Sequence, residues 1–137
     1  MKIWNGYGSE HSANLVIIGE FSDAATAQAA SELLEKVREV SSDDEASGFL
    51  DVNKGTAQKF SDAMLELAKS ENLMSLGYGD PEELLYDYRA QVQGDKLVIE
   101  TDELMVSAFL KIMLAKGGRI QILSAHDHET PYGRNTR

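Results

Sequence analysis

The chain has 137 residues, the size of one domain and long enough to remove roughly 65–70% of the unfolded surface from water unaided. It contains no cysteine, which excludes disulfides, zinc–thiolate and iron–sulfur sites and a thiol nucleophile, and fits a cytoplasmic protein. Thirteen Lys and Arg against twenty-three Asp and Glu give a formal charge of −10; that field repels nucleic-acid phosphates and anionic lipid and favours basic partners.

Lys2, Glu10, His11 and Glu20 interrupt the N-terminal region, and nowhere do about 18 apolar residues run together, so neither a signal peptide nor a membrane span is expected. A short β-prone piece at Lys2–Tyr7 precedes "NLVIIGEF" at Asn14–Phe21. This run is apolar on both faces, as a central strand is. Ser22 suits a helix N-cap, and Ala30, Leu33, Leu34, Val37 and Val40 then recur at helical spacing, predicting a helix over 23–41. "SSDDE" at Ser41–Glu45 reads as a solvated loop. Ala57, Phe60, Met64, Leu67 and Ala68 predict a second helix over 56–71, with Thr56 as its cap.

Asp80-Pro81-Glu82-Glu83 combines a capping acid, a proline at the first helical position and a further acid, the mark of a single helical turn. The period then switches to two. Tyr86–Gln93 and Lys96–Thr101 flank Gly94-Asp95, a two-residue hairpin loop that pairs Val92 with Leu97, Ala90 with Ile99 and Tyr88 with Thr101 on the core face. A helix over 102–116 is apolar nearly all round apart from a stripe at Ser107 and Lys111. Gly117-Gly118 ends it, and "RIQILSAH" is the last strand.

Apart from the second helix, this order is the split βαβ repeat of a ferredoxin-like sandwich: an α+β fold with one antiparallel sheet and helices on one face. The expected domain spans 1–126, with a short extra N-terminal strand, one inserted helix and a flexible tail over 127–137. The strands at 14–21 and 86–93 are expected at the sheet centre. The outer face would carry Val16, Ile18, Val98 and Leu123 among polar residues, a patch that a homodimer or the inserted helix could cover.

Candidate chemistry gathers at one end of the sheet. "NGYGSEHSAN" at Asn5–Asn14 places Tyr7, Ser9, Glu10 and His11 before the first strand, a possible ligand-binding loop whose plain alternative is an anchored turn. His126 and His128 follow the last strand with a spacing that suits two metal ligands, and His11 could complete a divalent metal site; surface histidines are the alternative. Antiparallel pairing of first and last strands would bring His11 and His126 to the same end. The triplet in "LGYGDPEE" repeats that of the opening loop, but no phosphate-loop lysine accompanies either.

The stretch "MKIWNGYGSEHSANLVIIGEF" with the alanine-rich helix after it resembles the N-terminal part of a small uncharacterised microbial protein family, a domain of unknown function. The resemblance covers about the first thirty residues and implies no activity, substrate or cofactor. The leading expectation is therefore a small acidic cytoplasmic protein-binding or regulatory module, without cofactor or catalysis, that contacts its partner through the sheet face or a helix surface. The alternative is a small-ligand or metal-binding protein, or a small enzyme, with its site at the His11/His126 end.

Overall fold

A computed structural model of the protein describes residues 14–50 and 59–124. Along the chain run β1 (Leu15–Glu20), α1 (Ala24–Ala46), α2 (Asp62–Ser70), α3 (Asp80–Glu83), β2 (Tyr88–Gln93), β3 (Lys96–Thr101), α4 (Ser107–Ala115) and β4 (Arg119–Ser124). The strands form one antiparallel sheet in the order β2-β3-β1-β4, the ferredoxin-like arrangement. The segments 1–13, 51–58 and 125–137 lie outside the described residues, and with them the expected first strand, Thr56 and the tail.

The hairpin register is the expected one: Tyr88 faces Thr101, Ala90 faces Ile99 and Val92 faces Leu97. Gly94 supplies the positive φ of 62° that the tight turn requires. The strand at 86–93 is not central, however; β2 is an edge, and β3 takes the place between β2 and β1. Leu97, Val98 and Ile99 make β3 apolar on both faces, as in β1, whereas Arg89, Gln91 and Gln93 give β2 the one-sided alternation of an edge strand.

Helix boundaries differ in ways that side-chain bonding explains. Asp23, not Ser22, caps α1 by accepting the Thr26 amide at 2.7 Å. The helix continues through "SSDDE" to Ala46 instead of ending in a loop. There the buried Ser41 donates to the Val37 carbonyl, and Asp44 accepts a bond from Ser61. Ser61 caps α2. Helix α4 begins at Ser107, five residues later than expected.

One layer of helix covers one sheet face. Ala27, Ala30, Leu33, Leu34 and Val37 of α1 and Phe109, Ile112 and Met113 of α4 pack over Ile17, Leu97 and Ile99. Phe109 meets the Tyr88 ring edge-to-face at 5.0 Å, and removing that buried ring would cost about 3–5 kcal/mol. On the opposite face Val16, Ile18 and Val98 form a second cluster with Leu123. They are 0%, 7% and 2% exposed within the single chain, so this face does not offer them to solvent. Beside them Arg89 pairs with the buried Glu100 at 3.0 Å.

Candidate functional site

Tyr7, Ser9, Glu10, His11, His126 and His128 all lie outside the described residues. The strand ends that lead to them are adjacent: Leu15, at the start of β1, pairs with Ser124, at the end of β4. That end of the sheet also concentrates unsatisfied polarity. Among the described residues, Asn14 Oδ1, Tyr88 Oη and Ser124 Oγ are buried without a hydrogen-bond partner. Tyr88 and Ser124 share one cross-sheet row through Thr101 and Leu15. Asn14 takes a left-handed φ of 52°, which asparagine tolerates better than most residues. Burial of Tyr88 pushes its hydroxyl pKa up to about 12, so it remains a neutral donor at physiological pH.

A second polar group, not anticipated as a site, joins α3 to α4. The sequence suggests Asp80 as a cap, but Gly79 holds that place without a side-chain bond, and the Asp80 carboxylate turns inward. Its Oδ2 accepts the Gly77 amide at 2.6 Å and the Lys111 ammonium at 2.7 Å, and its Oδ1 lies 2.6 Å from Ser107 Oγ. Glu83 Oε1 accepts the Ala108 amide at 2.9 Å, and Glu83 Oε2 lies 2.8 Å from the same Ser107 Oγ. Helix α4 has no capping side chain of its own; Glu83 satisfies one of its free amides from across the interface.

The two carboxyls are driven apart electrostatically. Burial raises Asp80, but the bonds from Lys111, Ser107 and the Gly77 amide outweigh it and hold the carboxyl below its ordinary range. Burial also raises Glu83; the Ala108 amide and Ser107 oppose this, the charge of Asp80 and its close carboxyl add to it, and the balance is upward. Glu82 is raised by burial alone. An ionised, lysine-paired Asp80 is a weak base, and the Ser107 hydroxyl is committed to carboxyl oxygens, so this geometry does not activate a nucleophile. Among the described residues, no group of three or more His, Asp or Glu is placed to hold a metal ion.

A cavity of about 340 Å³ opens above this group. Its lining combines the polar Asp80, Glu82, Glu83 and Ser107 with Tyr86 and Met105. Tyr86 is 42% and Met105 65% exposed. A wider depression of about 420 Å³ lies at the sheet edge, where Arg89 and Glu100 line it but are already paired with each other.

One signal for the α3–α4 group was present in the sequence: Ser107 and Lys111, one helical turn apart, are the polar stripe of an otherwise apolar helix. Such a stripe needs a partner, and Asp80 and Glu83 supply it. Their contact spans 24 to 31 residues, which local spacing does not encode.

No helix among the described residues is long and apolar enough to cross a membrane. No curated protein and no solved structure matches the chain. A family model matches residues 1–133, well beyond the opening thirty, and the chain belongs to that family, described as a family of unknown function (DUF6375).

Proposed function

We propose that the protein is a small acidic cytoplasmic module that binds a basic, amphipathic segment of a partner protein without catalysing a reaction. The surface it uses is the α3–α4 cavity and its rim. The observation that carries this reading is the exposed pair Tyr86 and Met105 beside Glu82 and Glu83. An aliphatic-stemmed cation would lay its stem on the apolar wall and its head toward the carboxyls. The net charge of −10 favours such a partner at long range and disfavours nucleic acid. Leu104, next to Met105 in the chain, is also exposed. The outer sheet face is a weaker contact surface, because Val16, Ile18 and Val98 are already buried and a second copy would gain little apolar area there.

The test is NMR titration with a lysine-rich amphipathic peptide, an acidic peptide of equal hydrophobicity and no peptide. The reading expects shifts centred on Met105 and Tyr86 with the basic peptide only, weakened by salt and abolished by Met105→Arg. Shifts centred elsewhere, or equal response to the acidic peptide, would overturn it. Light scattering at high micromolar concentration addresses the homodimer separately.

A second reading places a small ligand or divalent metal at the other candidate location, with Tyr7, Ser9, Glu10, His11, His126 and His128 as its residues. Asn14 Oδ1 and Ser124 Oγ, buried and unpartnered beside the adjacent strand ends, favour it. Elemental analysis for zinc, nickel and copper, with imidazole titration in wild type and His11→Ala, is its test. No bound metal together with unchanged titration of His126 and His128 would sink the shared site.

A further inference from the structure

Ser107 Oγ faces two carboxyl oxygens at once, at 2.6 Å from Asp80 and 2.8 Å from Glu83. A hydroxyl has one proton to donate. It can bridge one of these contacts, and the other needs a proton from the carboxyl itself. The surrounding bonds identify which carboxyl that is. Asp80 Oδ2 already accepts from the Lys111 ammonium and the Gly77 amide, the environment of an ionised group. Glu83 accepts an N–H only on Oε1, from Ala108, and its Oε2 meets the Ser107 hydroxyl, so Oε2 is the oxygen that can hold a proton.

We propose that Glu83 stays protonated in the folded protein at pH values where exposed carboxylates are ionised, donating from Oε2 to Ser107 Oγ, which donates in turn to ionised Asp80. The chain ends at Lys111, so the buried group carries no net charge. The Glu83 contacts tie α3 to the start of α4, and one proton controls them. Loss of that proton sets two ionised carboxyls against one hydroxyl and releases the Glu83–Ser107 contact.

The groups around Glu83 are Asp80 and Glu82 on its own turn, Ser107 on α4, Lys111 on α4 through its bond to Asp80, and Tyr86, which lines the same cavity. Asp44 of α1 and Lys59 line a pocket with Pro81, and Glu103 lies in the segment leading into α4. Lys111 is held by Asp80 and Lys59 lies over the Phe49 ring, while the acids nearest Glu83 favour keeping the proton. The linkage has a definite sign. A carboxyl with a raised folded pKa contributes stability at low pH, and that contribution is lost as pH rises from the unfolded value through the folded one.

The experiment is a carboxyl-carbon NMR titration of the wild-type protein with thermal melts of Glu83→Gln and Glu83→Ala. A glutamine amide accepts from Ala108 and donates to Ser107, reproducing the protonated pattern at every pH. The expected result is a Glu83 midpoint above the ordinary glutamate range. Glu83→Gln should melt with wild type in mild acid and above it in alkali, while Glu83→Ala melts lower throughout. A Glu83 midpoint at or below the ordinary range overturns the proposal in the wild-type protein alone. So does a Glu83→Gln variant that loses as much melting temperature as Glu83→Ala.

Discussion

Ser61 Oγ donates to Asp44 Oδ2 at 2.7 Å while it accepts the Met64 amide at 3.1 Å, so one hydroxyl both caps α2 and fastens it to the end of α1. The acid-rich end of α1 therefore has a structural use: Asp44 sits at the positive start of the next helix. Ser61→Ala removes the cap and strands the Asp44 contact, and should cost about 1–2 kcal/mol. Urea unfolding would measure this, and Asp44→Ala should cost less, because Ser61 keeps its bond to Met64. Equal losses for the two would mean that the cap itself contributes little.

The neighbours of Asp44 have no such compensation. Asp43 and Glu45 are exposed in the last turn of α1, which contains no basic residue, and their charge opposes the negative end of the helix dipole. Asp43→Lys or Glu45→Lys should stabilise the protein by about 0.3–1 kcal/mol at low ionic strength. The gain should shrink in high salt. A salt-independent gain would point to a cause other than charge.

Two glycines meet the aromatic and sulfur end of the core with different tolerance. A Cβ on Gly118 would stand 2.7 Å from the Phe21 ring and 3.1 Å from the Met113 carbonyl, whereas one on Gly19 would meet chiefly the end of the Met113 side chain, at 2.8 Å. Flexible thioethers move more readily than a ring backed by main chain. Gly118→Ala should therefore cost about 1–3 kcal/mol by overpacking, and Gly19→Ala less. Comparing the two melting temperatures checks the order, and the reverse ranking would contradict it.

Much of the fold was legible because it rests on local pattern. The Val92–Leu97 and Tyr88–Thr101 pairs follow from a two-residue turn and a period of two, and Ile17 and Leu33 from runs whose spacing names the buried face. The strand expected at the sheet centre, β2, lies instead at its edge, because β3, apolar on both faces at Leu97, Val98 and Ile99, takes the place beside β1. The α3–α4 group was hidden for another reason. Asp80 looks like a cap in its own tetrapeptide, and only tertiary packing turns it toward Lys111, which the sequence separates by 31 residues. The stripe of Ser107 and Lys111 announced an unmet need on α4, without saying which acids would meet it.

The Lys111–Asp80 pair permits the sharpest pH test. Asp80 has 7% of its side chain exposed and Lys111 30%, so removing the cation leaves a nearly buried carboxylate with only Ser107 and the Gly77 amide. Lys111→Met preserves the stem and deletes the charge. It should cost about 2–3 kcal/mol at neutral pH, below the range for a fully buried pair because Lys111 is partly solvated. The sign of the pH dependence follows from the lowered Asp80 pKa. That shift stabilises the native state above the unfolded value of 3.8 and is lost as pH falls through the lower folded value. The difference between wild type and Lys111→Met should accordingly be full at neutral pH and narrow in acid, where Asp80 takes up a proton in both proteins. Guanidinium or urea unfolding at several pH values between neutrality and strong acid would trace it. A difference that stays constant into strong acid would show that Lys111 acts through packing of its stem and not through its charge.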